Sequence, residues 1–191
     1  MTGSRSSATM DGMLYTLSSP DILHARLSDS ATGTTVYYID TPQGVSTNCE
    51  THIRRSDDPD QQPIVIATIS WWSSGSGCDA QVKVHGRDVT PSSSSCKGLL
   101  SKSESFIASD GGEYKWKVTG LNSPPYLVDQ TFFDTVASYT QVNRRRSFMM
   151  KRSTLGRLHI GSECSDIADE VVATFVYMER KRQRQKMLGF A

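Results

Sequence analysis

The sequence lacks the patterns by which small domains are stapled or metallated. Its four cysteines, Cys49, Cys78, Cys96 and Cys164, include no Cys-x-x-Cys pair, and no paired histidine spacing accompanies them. A zinc site or a disulfide framework is therefore not expected, and free thiols in a reducing compartment are. No apolar run approaches the roughly 18 residues that a membrane-crossing helix needs. Residues Met1 to Gly12 are rich in serine and threonine and have no apolar stretch of the kind a secretory signal requires. Asn48, Asn122 and Asn143 all fail the glycosylation pattern. These absences together predict a cytoplasmic protein, peripheral to a membrane if it meets one.

Catalytic signatures are missing as well. There is no Gly-x-Ser-x-Gly elbow, no phosphate-cradling Gly-Lys-Ser/Thr loop and no His-Glu-x-x-His, and His24, His52, His85 and His159 are scattered. No cofactor is expected and the chain reads as non-enzymatic. An excess of one charge is missing too, since 21 Lys and Arg face 20 Asp and Glu for a net +1. Aromatic residues do not interleave with the basic clusters as a nucleic-acid stacking platform requires, so no nucleic-acid partner is expected.

What is present is β-sheet chemistry. After a leader expected to be disordered over residues 1–12, short apolar or alternating runs follow one another from Met13 to Ile160, divided by turn residues at Ser28–Gly33, Thr41–Gly44, Asp57–Asp60, Pro91–Gly98 and Asp110–Gly112. The runs Thr35–Ile39 and Ile64–Trp72 are rich in the β-branched and aromatic residues that suit a pleated surface. In Glu113–Thr119, Tyr114, Trp116 and Val118 alternate with Lys115, Lys117 and Thr119, which predicts a strand with one wet face. Asp110-Gly111-Gly112 joins that strand to Ser105–Ser109 as a hairpin. Val82/Val84, Val136–Tyr139, Phe148–Met150 and Leu158/Ile160 add further strands. The serine-rich tracts Ser73–Gly77 and Ser92–Ser95 read as loops, no internal repeat is visible, and residues 13–186 form one domain followed by a tail at 187–191.

One helix is expected, over about 165–184, capped by Ser165 or Asp166 and carrying Asp169 and Glu170 in its first turns. From Ile167 to Met178 nine of twelve residues are hydrophobic, on nearly every side of the axis, so the helix must be enclosed. The run is too short for lipid, which leaves the strands to enclose it. The expected fold is a closed or nearly closed antiparallel β-barrel of roughly twelve strands around a central C-terminal helix, with Glu179–Lys186 emerging as a solvated end. Trp71 and Trp72 are adjacent, so one is expected to face the core and the other outward, though covered.

The segments Met13–Leu17, Thr35–Asp40, Ile69–Trp72, Glu113–Val118, Val136–Tyr139 and Asp169–Arg182, in this order and spacing, resemble a family of unknown function abundant in mushroom-forming fungi. More distantly, many strands followed by a buried C-terminal helix are similar to the Tubby C-terminal, LURP-one-related and phospholipid-scramblase superfamily. That resemblance implies a barrel around a hydrophobic helix, and a module that binds phosphoinositides or associates with membranes. No phosphoinositide-binding motif aligns residue by residue.

The basic residues gather late in the chain. Residues 1–140 carry 10 Lys and Arg against 15 Asp and Glu, a balance of −5, whereas 141–191 carry 11 against 5, a balance of +6. The candidate anionic-ligand residues are Arg144, Arg145, Arg146, Lys151 and Arg152, and Arg144–Ser147 also fits a basophilic kinase acceptor. Arg180–Lys186 reads as the solvated end of the helix, its cations complementing the dipole. The expected function is a binding module for an anionic membrane lipid or a protein partner. An enzyme with a spatially assembled site and a purely structural domain are the alternatives.

Overall fold

The computed structural model describes residues 12–42, 49–56, 58, 60–74, 77–93, 102–120, 123–141 and 155–187. Among the described residues, thirteen strands precede one long helix. They are β1 (Gly12–Leu17), β2 (Ala25–Asp29), β3 (Thr35–Asp40), β4 (Cys49–Arg55), β5 (Ile64–Ser74), β6 (Gly77–Val84), β7 (Arg87–Asp88), β8 (Ser92–Ser93), β9 (Lys102–Ile107), β10 (Glu113–Val118), β11 (Tyr126–Asp129), β12 (Thr135–Thr140) and β13 (Arg157–Gly161), followed by α1 (Ala168–Met187). Short 3-10 turns at Ile22–His24 and Ser162–Cys164 complete the set. Gly12, expected in the leader, opens β1 and pairs with Gly161. The rest of the leader, the strand expected at Phe148–Met150 and the last tail residues lie outside the described residues.

All the strands belong to one antiparallel sheet in the order β7-β6-β5-β4-β3-β2-β1-β13-β12-β11-β10-β9-β8. The first strand of the chain thus pairs with the last, Met13 opposite Ile160 and Tyr15 opposite Leu158. Alternation puts one face of the longer strands into a single core: Trp116 and Tyr114 of β10 point inward, as do Leu17, Leu27, Ile53, Ile69, Leu127, Leu158 and Ile160. The helix occupies the middle of that core. Val171, Val172, Ala173, Thr174, Phe175 and Val176 have no exposed surface, and side chains from both halves of the sheet reach them. Phe175 packs on Tyr139 of β12 and Trp116 of β10, while Tyr177 stacks on Trp71 of β5 at 6.0 Å.

The backbone ladder does not close. β7 and β8 are its two edges, each two residues long, and the chain between them makes other bonds: Val82 N–H donates to the Thr90 hydroxyl, and Pro91 has no N–H to give. Arg87 reaches across from β7 to the Ile107 carbonyl of β9 at 3.1 Å, so a side chain spans the gap that the backbone leaves.

Three other expectations need correction. The serine tracts are not simply loops, because Ser73 and Ser74 extend β5, Gly77 opens β6 opposite Ser74, and Ser92–Ser93 forms β8 opposite Ser105 and Glu104. Serine is a poor strand former that a neighbouring ladder can still recruit. The solvated helix end begins later than Glu179, since Glu179 and Arg182 are buried.

A repeat is also present, although no fixed period announces it. The β2–β3 and β11–β12 hairpins have the same bulge one hundred positions apart, between Leu27 and Ser28 and between Leu127 and Val128, with Ser28 opposite Thr35 and Val128 opposite Thr135. Tyr15 of β1 faces Asp29, as Tyr114 of β10 faces Asp129. The order β4-β3-β2-β1 recurs alongside as β13-β12-β11-β10. Across the paired hairpin segments only Leu27/Leu127, Asp29/Asp129, Thr35/Thr135 and Val36/Val136 are identical, too few to read as a repeat.

Candidate functional site

Most of the buried ion pairs of this domain lie along one axis, that of α1. At its N-terminal end Asp169 accepts from the Tyr37 hydroxyl at 2.8 Å, from Arg55 at 3.0 Å and lies 2.9 Å from His85 Nε2. Glu170 pairs with Arg87 and accepts from the Ser109 backbone N–H at 3.0 Å. Acidic residues in a first turn suit the helix dipole, but here they also tie the helix to β3, β4, β7 and the β6–β7 turn. Burial, with the neighbouring Asp169 charge second, pushes the Tyr37 hydroxyl well above its ordinary range, so it stays a donor.

His85, one of the scattered histidines of the sequence, joins this cluster. His85 and Gly86 both have positive φ, 49° and 80°, forming the two-residue turn between β6 and β7. A His-Gly pair between two alternating runs was the available signal. The ring repays that backbone by reaching Asp169.

Midway, Trp116 Nε1 donates to the Thr174 hydroxyl at 2.9 Å, and Thr174 donates to the Glu170 carbonyl at 2.8 Å, so these two buried side chains satisfy each other and the helix backbone. Nearer the C-terminus Lys181 pairs with Glu104 and donates to the Tyr177 hydroxyl at 3.0 Å. Arg182 grips Glu179 through two hydrogen bonds of 2.6 Å and donates to Gln141 at 3.0 Å, leaving its Nη1 without a partner among the described residues. Gln183 ties the helix to the Pro20 carbonyl at 3.0 Å. Burial pushes the Cys164 thiol up to about 12, so at neutral pH it is a protonated thiol rather than a nucleophile.

After these pairings the two ends present opposite charge. Around the N-terminal end stand Asp29, Asp110, Glu113, Asp129 and Asp134, on turns and strand ends beside Asp169 and Glu170. Around the C-terminal end, Arg180, Arg184 and Lys186 are partly exposed while Lys181 and Arg182 turn inward. Partial burial, and then repulsion by Arg182, hold the Lys186 ammonium below its ordinary pKa. The balance that the sequence shows along the chain becomes a polarity along a helix of about 30 Å.

Arg144, Arg145, Arg146, Lys151 and Arg152 lie outside the described residues. Of the tryptophan pair, Trp71 faces the core as expected, but Trp72 is 39% exposed near the end of β5, at the basic end, rather than covered. Among the described residues no group of three or more His, Cys, Asp or Glu side chains could hold a metal ion, and no helix is long and apolar enough to cross a membrane.

These features define a β-rich domain whose antiparallel sheet surrounds a polar-ended C-terminal helix. The chain belongs to the family of unknown function DUF6593, whose model matches residues 20–184. No curated protein and no solved structure matches it.

Proposed function

We propose that the domain is a non-catalytic binding module that rests the basic end of its helix on an anionic membrane surface. The observation that carries this reading is the separation of charge along α1, with Arg180, Arg184 and Lys186 partly exposed at one end, where they stand with Asp21, Asp40 and Glu50, and Asp29, Asp110, Glu113, Asp129 and Asp134 at the other. Each basic residue near an anionic leaflet contributes about 1 kcal/mol. Asp169 and Glu170 lie roughly 15–25 Å along the axis from these cations, two to three times the screening length of about 8 Å at physiological salt, so screening leaves most of the attraction in place.

The reading places the protein in the cytoplasm, where anionic leaflets face. It also accords with a nearly closed barrel and a distant kinship to the Tubby C-terminal, LURP-one-related and scramblase superfamily, with the fungal family as the nearer relation. The Arg87 link from β7 to Ile107 supports the barrel part of this reading.

Co-sedimentation with vesicles tests it. The protein is expected to pellet with phosphatidylcholine vesicles containing phosphatidylserine, to stay in solution with phosphatidylcholine alone, and to be released by salt. The Arg180→Glu, Arg184→Glu, Lys186→Glu triple variant is expected to lose the interaction. Equal binding by that variant, or no binding by the native chain, sinks the proposal.

A further inference from the structure

At the acidic end the β11–β12 hairpin presents two aromatic rings to solvent. Phe132 and Phe133 are each 73% exposed, the largest exposures among the large hydrophobic residues described. The tip is firmly built: Asp129 Oδ1 accepts from Thr131 N–H at 2.6 Å, the Asp129 carbonyl accepts from Phe133 N–H at 2.9 Å, and Asp129 N–H donates to the Asp134 carbonyl at 3.0 Å. The rings are therefore held out on an ordered turn.

The matching β2–β3 hairpin builds the same turn from different residues. Asp29 makes the same bonds to Ala31 and Gly33 and to the Thr34 carbonyl, and the residue that needs positive φ there is Gly33 at 76°. In the second hairpin the same position is Phe133 at 60°. Folding the turn asks for glycine, and the chain places a strained, exposed phenylalanine instead, beside a second one. Such strain marks function where the fold does not require it.

We infer that the Phe132–Phe133 tip docks one copy of this chain onto the basic helix end of another. The charges select this occupant. Asp134 and Glu113 flank the tip and are exposed, so an anionic bilayer repels it, whereas Arg184 and Lys186 at the far end of a second copy complement it. Trp72, exposed at that same end, offers the rings an aromatic surface. A net charge of +1 sets up no general repulsion between copies. The two surfaces differ, so the contact is head-to-tail, and each copy keeps a working tip or receiver for the next.

Sedimentation velocity over a concentration series tests this without lipid. The native chain is expected to show a weight-average size that rises with concentration and falls with added salt. Phe132→Ser with Phe133→Gly disables the tip, and Arg184→Glu with Lys186→Glu disables the receiving end; each variant alone is expected to stay monomeric. Mixed together they still hold one working tip and one working receiver, so dimers are expected and nothing larger. The tip variant folds, and its melting temperature is expected to match or exceed the native value, because glycine relieves Phe133. A native chain monomeric throughout, or a mixture that forms no dimer, overturns the inference. So does binding of the tip to phosphatidylcholine vesicles with no self-association, which makes a bilayer the occupant.

Discussion

Phe175 shows what enclosure means for a single side chain: it has no exposed surface and lies against Tyr139 and Trp116. Phe175→Ala is expected to cost about 3–5 kcal/mol, the range for emptying a core aromatic site. Urea denaturation measures it, and a loss under about 1 kcal/mol contradicts enclosure. Phe133 predicts the opposite sign. Releasing a left-handed L-residue returns roughly 1–2 kcal/mol, and glycine's extra unfolded freedom takes back about 0.5–1. Phe133→Gly alone is thus expected to raise stability by up to about 1.5 kcal/mol, where each kcal/mol is worth about 2–4 °C in melting temperature. The contrast also shows what a sequence reveals about residues. Phe175 is legible from its apolar neighbours at helical spacing, whereas Phe133 looks like core until its φ and exposure are known.

Among elements, the helix and the strongly patterned strands were legible because burial on all sides, or on alternate sides, leaves a periodic trace. β10 shows its alternation outright, and α1 shows an apolar girth with acidic first turns. β8 and the ends of β5 and β6 leave no such trace, since serines and glycine there follow a neighbour's ladder rather than their own preference. The inward turn of Arg182 was equally hidden, because its i,i+3 partner Glu179 looks like an ordinary surface pair in sequence. That buried pair makes a prediction for the helix. Arg182→Met is expected to cost about 3–5 kcal/mol by stranding the Glu179 charge, while Arg182→Met with Glu179→Leu is expected to recover most of it. A chemical-denaturation double-mutant cycle measures the coupling, and additive losses argue against the pair.

For the molecule as a whole, the polarity of the candidate site was half legible. The shift from −5 to +6 along the chain is plain in sequence, but only the threading of α1 through the sheet converts it into two ends. Alkali should expose another collective property. Burial is the largest cause raising Tyr37 and Tyr114, and it pushes Tyr139 and Tyr177 up to about 12. Unfolded tyrosines ionise near pH 10, so above that value the unfolded chain gains what the folded one is denied. Stability is expected to be intact below about pH 10 and to fall steeply as pH rises toward 12, as followed by far-ultraviolet circular dichroism. A flat profile across that window contradicts tyrosine burial.

The pairing of β1 with β13, and the position of α1 after every strand, bear on how the chain is made. Domains fold as units during synthesis at about 5–20 residues per second. Here the ribosome delivers the central filler last, so the emerging strands wait for many seconds with their oily side uncovered and the first of them without its final neighbour. Release of the helix from the exit tunnel is then the event that lets the whole sheet set at once, and arrest of translation before Ala168 is expected to leave a nascent chain sensitive to protease and held by chaperones.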